Sequence, residues 1–327
     1  MMKRLCWLFL LVPSLFADDV ILCGSGGTDE YSKRFADWGI RLRQALVERC
    51  ERPAEKVHLF LEDGAKGKNE AASTNLDNLT ALLEKLRATH SPKEPLFIYM
   101  IGHGSHLRNA AKFQMPGPDL SAYALAGLVK DVPAKALVVI NGSSASAGFI
   151  NVLSGPDRVV VSATKSNREI NATEYMGYLV QALEEGLADR DGDRRISVYE
   201  AAWRAASLTQ NHYDSQGLIA TEHAIMDDDG DGFGSRVFNE SPLGDLQSRS
   251  TDGGVARAVY IKDFQYPDSV PKDLVNRYES QLKKVTRLKA KKAELNRKSY
   301  RRQLEELLVE AARLNRRIHQ LLPGPVD

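Results

Sequence analysis

Apolar residues follow two different periods along this chain. Short, nearly unbroken apolar runs occur at Asp19–Cys23, Val57–Leu61, Leu96–Ile101, Ala136–Ile140 and Arg158–Ser162. Runs of this kind suit strands buried on both faces of a parallel sheet. Between them lie stretches whose apolar residues recur every three or four positions, the spacing of a helix with one buried face. Tyr31–Glu48 carries Phe35, Trp38, Ile40, Leu42 and Leu46, and Thr74–Ala88 carries Leu76, Leu79, Leu82, Leu83 and Leu86. Further helices are expected near Asp119–Lys130, Ala172–Gly186 and Val198–Leu208. Such alternation predicts an α/β fold, a mostly parallel sheet sandwiched by helices. The alternation runs to Asn211, and the domain is expected to occupy residues 18–240.

Beyond it the pattern changes. Residues 241–270 are polar and weakly periodic and read as an irregular linker. Residues 271–322 form one helical pattern with no Gly or Pro from Lys272 until Pro323. Its second half keeps a heptad, Leu304, Ala311 and Ile318 alternating with Tyr300, Leu307, Leu314 and Leu321. In its first half Lys292 and Ser299 stand where apolar residues belong, so one long helix and a helical hairpin are both compatible with the pattern.

At 327 residues there is ample core, and a formal net charge of +1 selects no class of partner. The neutrality conceals an asymmetry: from Pro271 onward there are fifteen Lys/Arg against seven Asp/Glu. These basic residues could attract nucleic acid or an anionic surface, but a solvated helix face is the plainer reading. A homo-oligomer through this helix is the other partner it suggests. Met1–Ala17 has the form of a signal peptide: Lys3 and Arg4, then the apolar stretch Leu5–Phe16, then a small residue at Ala17. The stretch is short for a membrane span, and no cysteine follows it to take a lipid. The expectation is an exported protein, periplasmic or extracellular, with no membrane span after cleavage; an uncleaved anchor is the alternative. Cys23 and Cys50 then remain, and two cysteines leave open whether they pair.

Candidate chemistry sits at the ends of the strands. The third apolar run leads into Gly102-His103-Gly104, at the carboxyl end of its strand, where open α/β sheets place their ligands. The turn Gly24–Gly27 fits neither glycine-rich phosphate fingerprint. Two acidic clusters occur later. In Asp189–Glu200, the residues Asp189, Asp191, Asp193, Arg195 (through its carbonyl), Ser197 and Glu200 fall on the six ligand positions of a calcium loop. Arg194 stands where the loop wants glycine, and an acidic turn capping the next helix is the alternative. The second cluster, Asp227–Gly232, has alternating aspartates but Phe238 at its twelfth position, and reads as a polar turn.

The fourth run continues as I-N-G-S-S-A-S-A-G-F-I over Ile140–Ile150. With F-I-Y-M-I-G-H-G-S, V-V-V-S-A-T-K-S-N-R-E and T-E-H-A-I-M-D-D-D-G-D-G, it resembles the caspase-like cysteine peptidases, most closely the legumain-type family and its bacterial relatives, over about Asp19–Gly234. The resemblance implies that His103 matches the family's catalytic histidine and that the backbone N–H of Gly104 faces an oxyanion. It also implies a nucleophilic cysteine after the next strand. Here the chain departs from the family: that place falls on Ser143, with Ser144 beside it, or on Ala145 when counted back from Gly148. Asn141 stands where an acidic residue often precedes the nucleophile. Cys23, ending the first strand, is a displaced alternative. Arg168 and Glu169 follow the fifth strand, where the family shapes its substrate pocket; a surface ion pair is the alternative. His106 reads as a loop residue.

Three functions follow as expectations. The first is a catalytically degenerate peptidase fold kept as a binding or scaffold module for a peptide or protein. The second is an active endopeptidase or other hydrolase using His103 with Ser143 or Cys23. The third is a coiled-coil assembly protein. None requires a cofactor, and calcium is the one ion the motifs suggest.

Overall fold

The computed structural model describes residues 16–322 apart from 66, 68–69, 108–109, 238–251, 265 and 291–294. Most of the targeting segment, Phe238 and the first part of the linker lie outside the described residues.

Eight strands form the central sheet: β1 (Asp18–Cys23), β2 (Val57–Leu61), β3 (Ala72–Ser73), β4 (Leu96–Ile101), β8 (Leu137–Asn141), β9 (Arg158–Ser162), β11 (Ile225–Asp227) and β12 (Ser235–Arg236). Five further strands, β5 (Gly104–Leu107), β6 (Ala110–Phe113), β7 (Leu120–Ser121), β10 (Ile196–Ser197) and β13 (Tyr260–Lys262), pair outside it. The spatial order is β12-β11-β9-β8-β4-β1-β2-β3. From β9 to β3 the strands are parallel, and β11 and β12 add an antiparallel edge. With β4 and β8 in the middle, their carboxyl ends lie side by side: Met100 is level with Asn141, which is level with Ser162.

Alternate side chains of each strand feed opposite cores. Phe97, Tyr99, Val138, Ile140 and Val161 pack beneath α1 (Asp29–Glu48), α5 (Tyr175–Glu184) and α6 (Val198–Ser215). Ile98, Met100, Val139 and Val160 pack beneath α2 (Leu76–Thr89), α3 (Ala122–Val129) and α4 (Gly148–Leu153). Each large apolar side chain so buried contributes about 1.5–3 kcal/mol, which is why the continuous runs of β4 and β8 make the centre of the sheet.

The sequence pattern and the structure differ in three places. The stretch after His103 forms a small antiparallel sheet, β5-β6-β7, whose inward residues are few (Ala111, Phe113 and Leu120), too few to stand out as a pattern. The region read as an irregular linker contains β13, which pairs with β10 and buries Ile261. The C-terminal pattern is a hairpin of α7 (Lys272–Ala290) and α8 (Arg297–Leu321). Asn296 caps α8 by accepting the Ser299 N–H at 2.9 Å, between the two polar residues that interrupt the heptad. Leu274, Tyr278 and Leu282 of α7 pack against Ala311, Leu314 and Ile318 of α8, so the apolar stripe is covered within the chain.

The base of this hairpin docks on the first acidic loop. Arg195 pairs with Glu279 at 3.1 Å and Asp263 at 3.2 Å, and the Tyr278 hydroxyl donates to the Gly192 carbonyl at 2.8 Å. Arg194 donates to Asn315 Oδ1 at 3.4 Å and meets His319. No helix among the described residues is long and apolar enough to cross a membrane.

Candidate functional site at the carboxyl edge of the sheet

His103 follows β4 and is half-buried under the first turns of α1. Its ring stands edge-on to Tyr31 and Phe35, with centroids 4.7 and 5.0 Å away. Burial lowers the imidazole pKa below its ordinary value and the nearby Arg34 guanidinium lowers it further, against a hydrogen bond to the backbone of Gly26 that favours the charged form. The ring is therefore neutral at neutral pH, the state a general base needs. Arg34 itself lies over the Tyr31 and Trp38 rings and pairs with Glu174 at 3.0 Å.

The neighbouring loop, after β8, is closed. Ser143 is fully buried, and its Oγ donates to Asn141 Oδ1 at 2.7 Å. The same oxygen accepts the Ser143 N–H at 2.9 Å, which fixes the orientation of the amide and leaves Asn141 Nδ2 buried without a partner. The serine proton thus points at a neutral amide oxygen, which cannot take it. Ser144 Oγ accepts the Gly104 N–H and donates to the Gly104 carbonyl, each at 3.1 Å. The backbone donor that the family resemblance assigns to an oxyanion is occupied by a hydroxyl. A β-carbon at Gly104 would lie 2.7 Å from Ser143 Oγ and collide with the Ser144 carbonyl, so glycine is what lets the two loops touch.

More hydroxyls seal the far side. Ser146 Oγ shares hydrogen bonds with Ser162 Oγ at 2.8 Å and Thr164 Oγ1 at 3.2 Å, all three buried. Thr173 donates to the Gly142 carbonyl. Ala145, the other position at which the nucleophile could be counted, is buried and has φ of +50°, a left-handed conformation that costs a non-glycine residue about 1–2 kcal/mol. Its N–H is held by the Glu169 carbonyl at 2.8 Å.

Glu169 joins three loops. Besides holding Ala145, its carboxylate accepts the Lys165 N–H at 2.8 Å and meets His223 Nδ1 at 2.5 Å. It is thus engaged in ion pairing and loop closure, while Arg168 is exposed beside it. His223 is a residue the sequence did not single out. It lies 54 positions from Glu169, and only the antiparallel pairing of β11 with β9 brings the two together. Behind it, Glu222 caps α5 by accepting the N–H groups of Glu174 and Tyr175, and burial pushes its carboxyl up to about 7.

Cys23 stands at the same edge but faces the other way. Its Sγ packs against Gly39 of α1 in the core, 1 % exposed, and burial raises the thiol well above its ordinary value. A thiol placed there has neither the ionisation nor the access a nucleophile requires. Cys50 is likewise buried and pushed up to about 12, and the two cysteines are unbonded.

In the first acidic loop, carboxylate oxygens of Asp189, Asp191 and Asp193 converge within 4.8 Å of one another. Arg194 adopts φ of +74°, so the chain makes the left-handed turn there without the glycine. Glu200 faces the helix start instead, where it closes a capping box with Ser197 at the head of α6 and accepts the Arg190 N–H at 3.0 Å. Arg195 directs its side chain to the hairpin.

No protein-family model matches the chain, and no curated protein matches it significantly. Function is therefore inferred from the sequence resemblance and the geometry of the edge.

Proposed function

We propose that this chain is an exported, catalytically silent relative of the caspase-like peptidases of legumain type, and that it serves as a binding or scaffold module. The carrying observation is the state of Ser143: fully buried, with its hydroxyl committed to Asn141 Oδ1. A serine hydroxyl is a weak nucleophile that needs a base within hydrogen-bond reach and an oriented partner for that base. At this edge the proton has gone to an amide, and the Gly104 N–H has gone to Ser144. His103, Tyr31 and the exposed Arg168 form the side of the edge on which a peptide or protein ligand would rest.

Incubation of the secreted form with a peptide library, read by mass spectrometry, tests this reading. The expected result is no cleavage above buffer. Cleavage that disappears in His103→Ala would establish the hydrolase reading instead, and sensitivity of that cleavage to thiol reagents would assign it to Cys23.

Calcium is the one ion we assign to the chain, at the first acidic loop, on the convergence of Asp189, Asp191 and Asp193. Titration calorimetry should give binding heat that Asp191→Ala abolishes; no heat with the unaltered protein would refute the assignment. An assembly role for the C-terminal helices is less supported, because the stripe that would form an intermolecular coiled coil is spent between α7 and α8.

A further inference from the structure

Charge is distributed very unevenly along the hairpin. Residues 283–302, which span the end remote from the α/β domain, contain ten Lys/Arg and one acid, a net +9 that leaves the rest of the chain at −8. Lys284, Arg297, Lys298, Arg301 and Arg302 are exposed there. Among the described residues of this end, one basic side chain approaches an acid, Arg302 to Glu306 at 4.0 Å.

Local helix stability does not ask for this charge. Cations are unfavourable near a helix N-terminus, where the macrodipole is positive, yet the first turn of α8 holds Arg297 and Lys298 and no acid. Nor is the charge absorbed by the fold, since the base of the hairpin is where Arg194 and Arg195 meet α7 and α8. The domain carries the opposite sign, so a polyanion would attract the tip and repel the body, placing the hairpin between them. Nineteen residues of α7 give roughly 28 Å of helix, several Debye lengths at about 8 Å each.

We propose that the hairpin tip is a docking surface for the anionic headgroups of a phospholipid bilayer. The convex end of two helices suits a plane. Leu295 and Tyr300 sit half-buried among the basic residues, the mixture found where side chains lie at headgroup level. Base reading by nucleic-acid binders uses carboxamides and guanidinium groups. The carboxamides here are engaged within the helix: Asn296 Oδ1 caps α8, and Gln303 Nε2 donates to Ser299 Oγ at 2.9 Å.

The test is sedimentation of the secreted full chain with vesicles of phosphatidylcholine alone or mixed with phosphatidylglycerol. Binding is expected to the mixed vesicles only and should weaken with added salt. Combined Arg297→Gln, Lys298→Gln, Arg301→Gln and Arg302→Gln should reduce it by at least about tenfold, with helical circular dichroism unchanged. Arg313→Gln with Arg316→Gln, outside the tip, should retain it. Equal sedimentation with both vesicle types, equal loss in the two variants, or no loss in the tip variant would overturn the proposal. So would tighter binding to duplex DNA than to the mixed vesicles, which would assign the tip to nucleic acid.

Discussion

Arg52→Ala is expected to destabilise the protein by about 3–5 kcal/mol, the cost of leaving a buried charge without its partner. Arg52 Nε donates to Asp19 Oδ2 at 2.9 Å, and both are buried, Asp19 completely. Tyr99 OH at 3.3 Å is the other side-chain donor to this carboxylate, and one neutral hydroxyl cannot replace a guanidinium. Arg52 also lies over the Phe97 ring, so the truncation opens packing as well. Burial raises the Asp19 pKa above its ordinary value and Arg52 opposes it; without Arg52 the carboxyl should bind a proton on folding. The loss should therefore be smaller in mild acid than at neutral pH. Thermal unfolding at both pH values measures it, with a drop of about 10 °C expected at pH 7. Asp19→Asn combined with Arg52→Met, which removes both charges, should recover most of the loss.

Asp18→Asn is the second large effect, and its pH dependence runs the opposite way from that of Asp19. Asp18 is 1 % exposed and accepts from Lys56 at 3.0 Å, His58 at 2.8 Å and His90 at 2.7 Å. Burial alone would raise its pKa, but these three partners outweigh it and hold the carboxyl far below the ordinary range. A carboxyl with a depressed folded pKa stabilises the fold above its unfolded value, near about 4, and loses that contribution as pH falls below it. The variant should lose about 3 kcal/mol at pH 7, and the gap to the unaltered protein should narrow below about pH 4. A gap that stays constant through that range would mean that the charge of Asp18 is not what the three partners hold.

Both networks lie at the amino end of the sheet, away from His103, and neither was visible in the sequence. Asp18 and Asp19 stand at the start of an apolar run, where charged residues ordinarily mark the strand end; their partners come from elements 33 to 72 positions away. What was legible was what local pattern controls. The runs Val57–Leu61 and Arg158–Ser162 are strands with those bounds, because continuous β-branched and aromatic residues admit little else in a sheet covered on both sides. The helix starts shifted by a few residues towards their caps, as at Thr28 and Asn75.

The candidate site was legible as a location and not as a chemistry. His103 at the end of β4 and Ser143 after β8 do reach the same edge of the sheet, as parallel neighbouring strands require. That the Ser143 proton goes to Asn141, that Ser144 occupies Gly104, and that Glu169 clamps Ala145 and His223 are all decided by rotamers and loop closure. Spacing along the chain carries no such information. The acidic loop shows the same division. Its aspartates converge as their alternation implies, while Arg194 and Arg195, which looked like flaws in a calcium loop, hold the helical hairpin.

Covalent labelling tests the central claim most directly. The folded protein would be exposed to a fluorophosphonate and, separately, to iodoacetamide, and its intact mass recorded. With Ser143 sealed and its proton on an amide, and with Cys23 packed under α1, neither reagent is expected to add to the native chain; unfolding should release both thiols to iodoacetamide. A single fluorophosphonate adduct at Ser143 that is lost in His103→Ala would contradict the account and restore a working nucleophile to this edge.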